Sequence, residues 1–297
     1  MNTPLFEGSA VAICTPFTET DEINFPKLAE LIEFQIENGT EAIIICGTTG
    51  ESATQTLEEH IETVDFCVKH VAGRIKVIAG TGSNDTRAAL LLSEEAEKSG
   101  ADGLLIVTPY YNKASQRGLI QHYLHIADRV HTPIILYNVP HRTSVSFTPD
   151  TYKTLSKHPL IVATKEASGD FTLLAKTIDA CGDDLHIYSG NDDHTVAMMA
   201  LGTKGLISVA ANIIPREMAD MCNAALAGDF ARAAELQLKY TKLMAALCCD
   251  INPIPIKTAM NLMGLDVGHM RLPLCDMCPE NLEKLKQTML ASGVSVR

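Results

Sequence analysis

The feature that most restricts the fold is a repeat of short apolar runs, each separated from the next by a longer amphipathic stretch. The runs are Ala10–Cys14, Ala42–Cys46, Ile75–Ala79, Gly103–Val107, Pro133–Tyr137, Leu160–Thr164, Leu185–Tyr188 and Leu206–Val209. They are rich in β-branched residues and nearly free of polar ones, which is the pattern of parallel strands covered on both faces. Their spacing of roughly 20 to 34 residues leaves room for one strand and one crossover helix per step. Eight strands is the number that closes such units into a barrel. The expected fold is α/β, a (β/α)8 TIM barrel.

Helix signals fill the gaps. Phe25-Pro26-Lys27 puts a proline in a first helical turn, Ser83-Asn84-Asp85 offers capping oxygens, and Gly39, Gly73 and Gly100 stand where helices should stop. After residue 228 the strands cease, and Asp229–Cys249, Pro253–Leu265 and Pro279–Ser292 read as three successive helices. The 297 residues are therefore expected to divide into a (β/α)8 barrel over residues 1–228 and a C-terminal three-helix appendage over residues 229–297. No low-complexity linker separates the two, so the appendage is expected to pack on the barrel.

With 24 Lys and Arg against 36 Asp and Glu, the formal charge is −12, and no basic run is present. Nucleic acid is thereby disfavoured as a partner, and any bound anion must be held by a few local donors. The longest apolar run, Leu243–Cys249, falls far below the roughly 20 residues that span a bilayer. The first residues lack the basic character of a secretory signal, and the nine cysteines are an odd, scattered set. Both point to a cytoplasmic protein with reduced thiols.

Chemistry in a barrel sits at the carboxyl ends of the strands. There the chain places Gly47-Thr48-Thr49-Gly50-Glu51-Ser52, Tyr110-Tyr111, Tyr137-Asn138-Val139-Pro140-His141-Arg142-Thr143, Lys165-Glu166 and Ser189-Gly190-Asn191-Asp192. A lysine finishing an apolar strand has little access to solvent. Burial lowers an amine pKa, and a neutral amine can attack a carbonyl to form a Schiff base. Strand alternation that points Lys165 into the barrel also points Ala163 and Ile161 inward; a structural pairing of Lys165 with a carboxylate such as Glu166 is the competing reading. The Gly47–Gly50 turn can cradle a carboxylate with backbone N–H groups and two hydroxyls, Tyr137 and Tyr111 can relay protons, and Arg142 can clamp a second carboxylate. Each of these residues taken singly also has an ordinary structural reading.

Taken together, Gly47–Ser52, Tyr137–Thr143 and Lys165-Glu166-Ala167-Ser168-Gly169 resemble the signatures of the 4-hydroxy-tetrahydrodipicolinate synthase (dihydrodipicolinate synthase) family of pyruvate-dependent Schiff-base aldolases and lyases. The likeness extends from Gly8-Ser9 through Gly205–Val209 to Asn252-Pro253-Ile254-Pro255-Ile256-Lys257 and Arg271-Leu272-Pro273. It implies that Lys165 forms an imine with pyruvate, which becomes an enamine and attacks L-aspartate 4-semialdehyde on the diaminopimelate route to lysine. Thr49 would hold the pyruvate carboxylate, and Tyr137, Thr48 and Tyr111 would form a proton relay in which Tyr111 reaches a neighbouring subunit's site. Arg142 would bind the semialdehyde carboxylate, while Gly190 and Ile207 would line the pyruvate pocket. No metal or other cofactor is implied, and the assembly would be a homotetramer, a dimer of dimers.

Where family members respond to lysine, the corresponding stretch here has Ser52, Ala53, His60, Asn84 and Tyr110. Leu57 and Ala88 stand where lysine-sensitive members often carry a histidine and a glutamate, so inhibition by lysine is expected to be weak or absent. Sister reactions, such as N-acetylneuraminate lyase or 2-keto-3-deoxy sugar-acid aldolase, use the same Lys and Tyr; Arg142 and Thr48 favour the small amino-acid aldehyde. A catalytically silent keto-acid-binding barrel and a metal-dependent aldolase are further alternatives. For the last, His122 with His125 and Cys275 with Cys278 have the spacing of ligand pairs, but neither has a matching second pair.

Overall fold

A computed structural model describes residues 3–297. Eight parallel strands close in sequential order into a barrel. They are β1 (Gly8–Ala12), β2 (Ala42–Ile45), β3 (Lys76–Gly80), β4 (Gly103–Val107), β5 (Ile134–Asn138), β6 (Ile161–Glu166), β7 (His186–Ser189) and β8 (Gly205–Ser208). All eight expected strands form. The first starts two residues early and stops short of Cys14, whose backbone N–H is taken at 3.1 Å by the Asn212 side chain and leaves the ladder.

Alternation along the strands divides the core into two layers. Inside the barrel, small residues Ala10, Ala12, Ala42 and Ala163 alternate with Ile44, Ile78, Leu105, Ile135, Tyr188 and Ile207, so that large side chains fill the space the alanines leave. Outside it, Val11, Ile43, Ile45, Leu104 and Leu136 meet the apolar faces of the helices.

One strand breaks the alternation. Ile134 pairs with Ile161, but the next residue, Ile135, pairs with Ala163, so Val162 is an extra residue in β6. This β-bulge shifts the phase of everything after it. Ile161 packs with the outer layer and Val162 with the inner one, against the expectation that Ile161, Ala163 and Lys165 all face inward. Ala163 does face inward.

The helices begin and end on the expected chemistry. The helix Phe25–Glu37 carries Pro26 in its first turn and is capped by the Asn24 side chain. Asp85 caps Thr86–Ser99, which stops at Gly100 in the left-handed conformation that lacks a Cβ penalty only for glycine. Thr56 and Glu59 form a reciprocal capping box at the start of Leu57–Val71. Beyond the barrel, Phe230–Ala246, Ile254–Leu262 and Pro279–Ala291 are the three C-terminal helices. Their buried Leu236, Tyr240, Leu243, Ile256, Met260, Leu285 and Met289 join the outer layer as one continuous cluster. Among the described residues, no helix is long and apolar enough to cross a membrane.

Candidate active site

The carboxyl ends of the strands surround a cavity of about 590 Å³, closed on one side by the C-terminal helices. Lys165, Tyr137, Thr48, Thr49, Arg142 and Gly190 all line it, so segments far apart in sequence converge as expected. The phase set by the β6 bulge delivers Lys165 to the pocket side. Glu166 faces the opposite way, accepting from Asn138 Nδ2 at 3.0 Å, the Tyr152 hydroxyl at 2.9 Å and the Ser168 N–H at 2.8 Å. Glu166 is therefore spoken for by neutral donors, and the competing Lys165–Glu166 pairing does not form.

Lys165 is 5% exposed, with Nζ 4.6 Å from the centre of the Tyr137 ring. Burial brings its pKa down from 10.5 to about 8; Asp192 pulls it upward and Arg142 pushes it further down. At pH 7 about a tenth of this lysine is then neutral, far more than an ordinary amine offers, and the neutral form is the one that adds to a ketone. Space for its side chain depends on Gly190: a Cβ there would lie 2.6 Å from Ala167 Cβ and 3.2 Å from Lys165 Cε.

Around this amine the polar groups are arranged in pairs. The Tyr137 hydroxyl is hydrogen-bonded to the side chain of Thr48; burial raises the phenol pKa, with Arg142 and the Thr48 bond acting in the other direction. Thr49 Oγ1 accepts from Asn252 Nδ2 at 2.9 Å, which leaves its own proton free to be donated to an anion. Arg142, on the short helix Pro140–Thr143, donates to the backbone carbonyl of Asn252 at 3.2 Å. A buried amine, a phenol–hydroxyl pair, a turn with donors and a guanidinium at the rim together suit a keto acid bearing one carboxylate, with room for a second.

Two groups to which the sequence assigns no role also reach the cavity. Asp192 is a pocket carboxylate held by the Ser208 hydroxyl and by the N–H groups of Val209 and Ala210 at 3.2 and 3.0 Å. Burial raises its pKa while those donors lower it. Its strand-end position was the available signal. The other is the segment from Met244 to Asn252, which supplies Met244, Leu247, Cys248, Ile251 and Asn252 to the cavity wall; nothing in its composition marks it as part of a site.

Other expected residues lie elsewhere. Ile207 pairs with Ala10 and packs inside the barrel, and Val209 two residues on lines the cavity wall. Tyr111 is not on this wall; it is 90% exposed on a left-handed backbone with φ of +70°. Tyr110 beside it is also exposed. Of the stretch compared with lysine-responsive members, Ser52 lines the cavity, while His60 is buried with Nε2 2.9 Å from the Gly80 carbonyl, its pKa held down by burial. The Asn84 carbonyl accepts from Asn112 Nδ2 at 2.9 Å. Ala53 and Leu57 are exposed and Ala88 is half-buried in the first turn of its helix.

His122 Nδ1 and the Thr86 hydroxyl share a hydrogen bond of 2.9 Å between helices, and burial lowers the pKa of His122 to about 4. Cys275 and Cys278 are exposed and unpaired. Among the described residues, no three His, Cys, Asp or Glu side chains converge as metal ligands.

Comparison with known proteins agrees with this geometry. The family model described as the dihydrodipicolinate synthetase family matches residues 5–292. The 4-hydroxy-tetrahydrodipicolinate synthase of Thermoanaerobacter sp. (strain X514) is 53% identical over 292 residues, covering 98% of both chains. The crystal structure of dihydrodipicolinate synthase from Aquifex aeolicus superposes with a TM-score of 0.96 at 46% identity, over 98% of this chain and 100% of that one. The chloride-inhibited dihydrodipicolinate synthase from Acinetobacter baumannii, solved with pyruvate, gives 0.96 at 42% identity, with coverage of 98% and 100%.

Proposed function

Because the chain belongs to the dihydrodipicolinate synthetase family, we infer that it catalyses the 4-hydroxy-tetrahydrodipicolinate synthase reaction, condensing pyruvate with L-aspartate 4-semialdehyde. The observation that carries the reading is Lys165: a buried amine of lowered pKa, at the carboxyl end of β6, facing a cavity with anion donors. We propose the following roles for the surrounding residues.

Neutral Lys165 Nζ adds to the pyruvate ketone, and loss of water gives a protonated imine. This electron sink lets the methyl group give up a proton and become a nucleophilic enamine without a metal or a bound cofactor. The enamine carbon then bonds to the aldehyde carbon of the semialdehyde. Attack of that substrate's amine on the imine carbon closes the ring and frees the lysine.

Thr49 and the adjacent backbone hold the pyruvate carboxylate, and Thr48 with Tyr137 moves protons to and from the reacting oxygen and nitrogen. Arg142 at the rim takes the carboxylate of the second substrate, and Gly190 leaves the imine its space. Tyr111 completes the relay from a neighbouring subunit, which its exposed setting on the β4 loop supports. The assembly is then at least a dimer and, by resemblance, a dimer of dimers. The appendage over residues 229–297 is taken as a unit that finishes the pocket of the 1–228 barrel. The cytoplasm is the proposed compartment, in keeping with nine unpaired cysteines.

The test is borohydride reduction in the presence of pyruvate, followed by peptide mass analysis, beside a coupled assay with pyruvate and aspartate semialdehyde. A covalent adduct on Lys165 and a rate that Lys165→Ala abolishes are expected; absence of the adduct refutes the imine. Arg142→Ala should retain the adduct and lose the condensation, and an unchanged condensation rate would refute its role with the second carboxylate.

A further inference from the structure

Beneath the Thr48-Thr49 turn lies an ion pair that the reaction does not touch. Glu51 and Lys257 meet at 2.6 Å with side chains 1% and 0% exposed. The second carboxylate oxygen of Glu51 accepts the backbone N–H of Arg271 at 3.0 Å. Phe17 packs below the pair, its ring centre 4.0 Å from Lys257 Nζ and 4.3 Å from the Arg271 guanidinium carbon.

The location of the pair is more informative than its strength. Glu51 occupies a left-handed conformation, φ +53°, that a residue with a Cβ adopts only when its surroundings enforce it. Its N–H donates to the Thr48 carbonyl at 3.1 Å, and its own carbonyl accepts the Thr54 N–H at 3.1 Å. The residue that closes the turn is thus fixed from below by Lys257 on the helix Ile254–Leu262. That helix follows directly on Asn252, which binds Thr49 from above. A buried ion pair is weak support for stability, since apolar residues of similar volume often serve as well or better. What the pair adds here is direction: one carboxylate is tied at once to the Lys257 ammonium and to the Arg271 backbone N–H.

We propose that Glu51 and Lys257 are positioning residues for the proposed reaction, holding the backbone and hydroxyls of Thr48 and Thr49 in the geometry that binds the keto-acid carboxylate. The inference rests on the function proposed above. It gives one physical role to three stretches of the sequence, Gly47–Ser52, Asn252–Lys257 and Arg271–Pro273, of which the first two are also joined by the Asn252–Thr49 bond.

The experiment is a pyruvate titration of borohydride trapping on Lys165, with thermal melting alongside, for the parent chain, Glu51→Leu/Lys257→Met and Glu51→Gln. The double variant removes both charges together and is expected to melt near the parent. Its half-saturating pyruvate concentration is expected to rise at least about tenfold, with a smaller change in the trapping rate at saturation, because a displaced turn weakens carboxylate binding first. Glu51→Gln, which keeps the shape and drops the charge, should show a rise of the same kind and decides the matter if the double variant does not fold. Folded variants with the parent's half-saturation would overturn the proposal and leave the pair a packing feature. Failure to trap the parent chain itself would instead refute the functional reading.

Discussion

Replacing Lys165 with methionine should stabilise the protein while destroying its proposed activity. The side chain is 5% exposed and its pKa falls from 10.5 to about 8 on folding, chiefly through burial. Folding therefore has to strip water from an ammonium or release its proton. At about 1.36 kcal/mol per tenfold change, that fall corresponds to a loss of about 3 kcal/mol at pH 7. Methionine has nearly the same length and volume and no charge, so it fills the space without that cost. The sign with pH follows from linkage: the cost is complete below pH 8, shrinks as the folded-state lysine deprotonates, and vanishes above pH 10.5, where both states are neutral. Lys165→Met should thus melt roughly 5 to 10 °C higher at pH 7, and the advantage should fade at alkaline pH. Melting curves of both proteins at equal concentration, at several values of pH, test this. A variant no more stable than the parent at pH 7, or an advantage undiminished at high pH, would refute the argument that burial depresses this amine.

Other expectations follow from the same geometry. Gly190→Ala should fold but trap pyruvate at least about tenfold more slowly, since its Cβ would sit 3.2 Å from Lys165 Cε; a parent-like trapping rate would contradict the packing. Tyr137→Phe removes the phenol bonded to Thr48 and should lower kcat by about 10²-fold or more in the coupled assay. If Tyr111 serves a neighbouring site, mixing Tyr111→Phe subunits with Lys165→Met subunits should recover activity that neither has alone, and no recovery on exchange would place the tyrosine outside the relay. Lysine added to the condensation assay should inhibit weakly or not at all, because Ala88 offers no carboxylate to its ammonium; inhibition at low concentration would show that other groups replace it.

The eight strands were legible because parallel strands buried on both faces must read as apolar runs, and these runs contain little else. Lys165, Tyr137, Thr48 and Arg142 were legible because polar residues at the ends of such runs stand out. The bulge was not: Ile161, Val162 and Ala163 are all apolar, so no change of polarity marks the extra residue. Ile207 faces the barrel interior as its strand position implies, but periodicity tells which side a residue faces and not how deep it lies. Asn252 sits 203 residues from Thr49, and Lys257 is 206 from Glu51; only the closed fold brings such partners together. Asp192 was visible at a strand end, but its partners Ser208, Val209 and Ala210 belong to the next strand and the turn after it.

The extra residue in β6 makes the identity of the pocket depend on how the strand absorbs Val162. Side chains on a regular strand alternate strictly, so an unbroken strand that begins with Ile161 facing outward would turn Lys165 outward too and bring Glu166 into the cavity. The bulge puts Val162 and Ala163 both on the inner face, which resets the phase and keeps Lys165 opposite Tyr137. Without Val162 a plain strand would give the same facing, with Ile161 outward and Ala163 and Lys165 inward. One backbone irregularity thus lets the strand carry an additional residue while the amine stays in the cavity and the carboxylate stays against Tyr152.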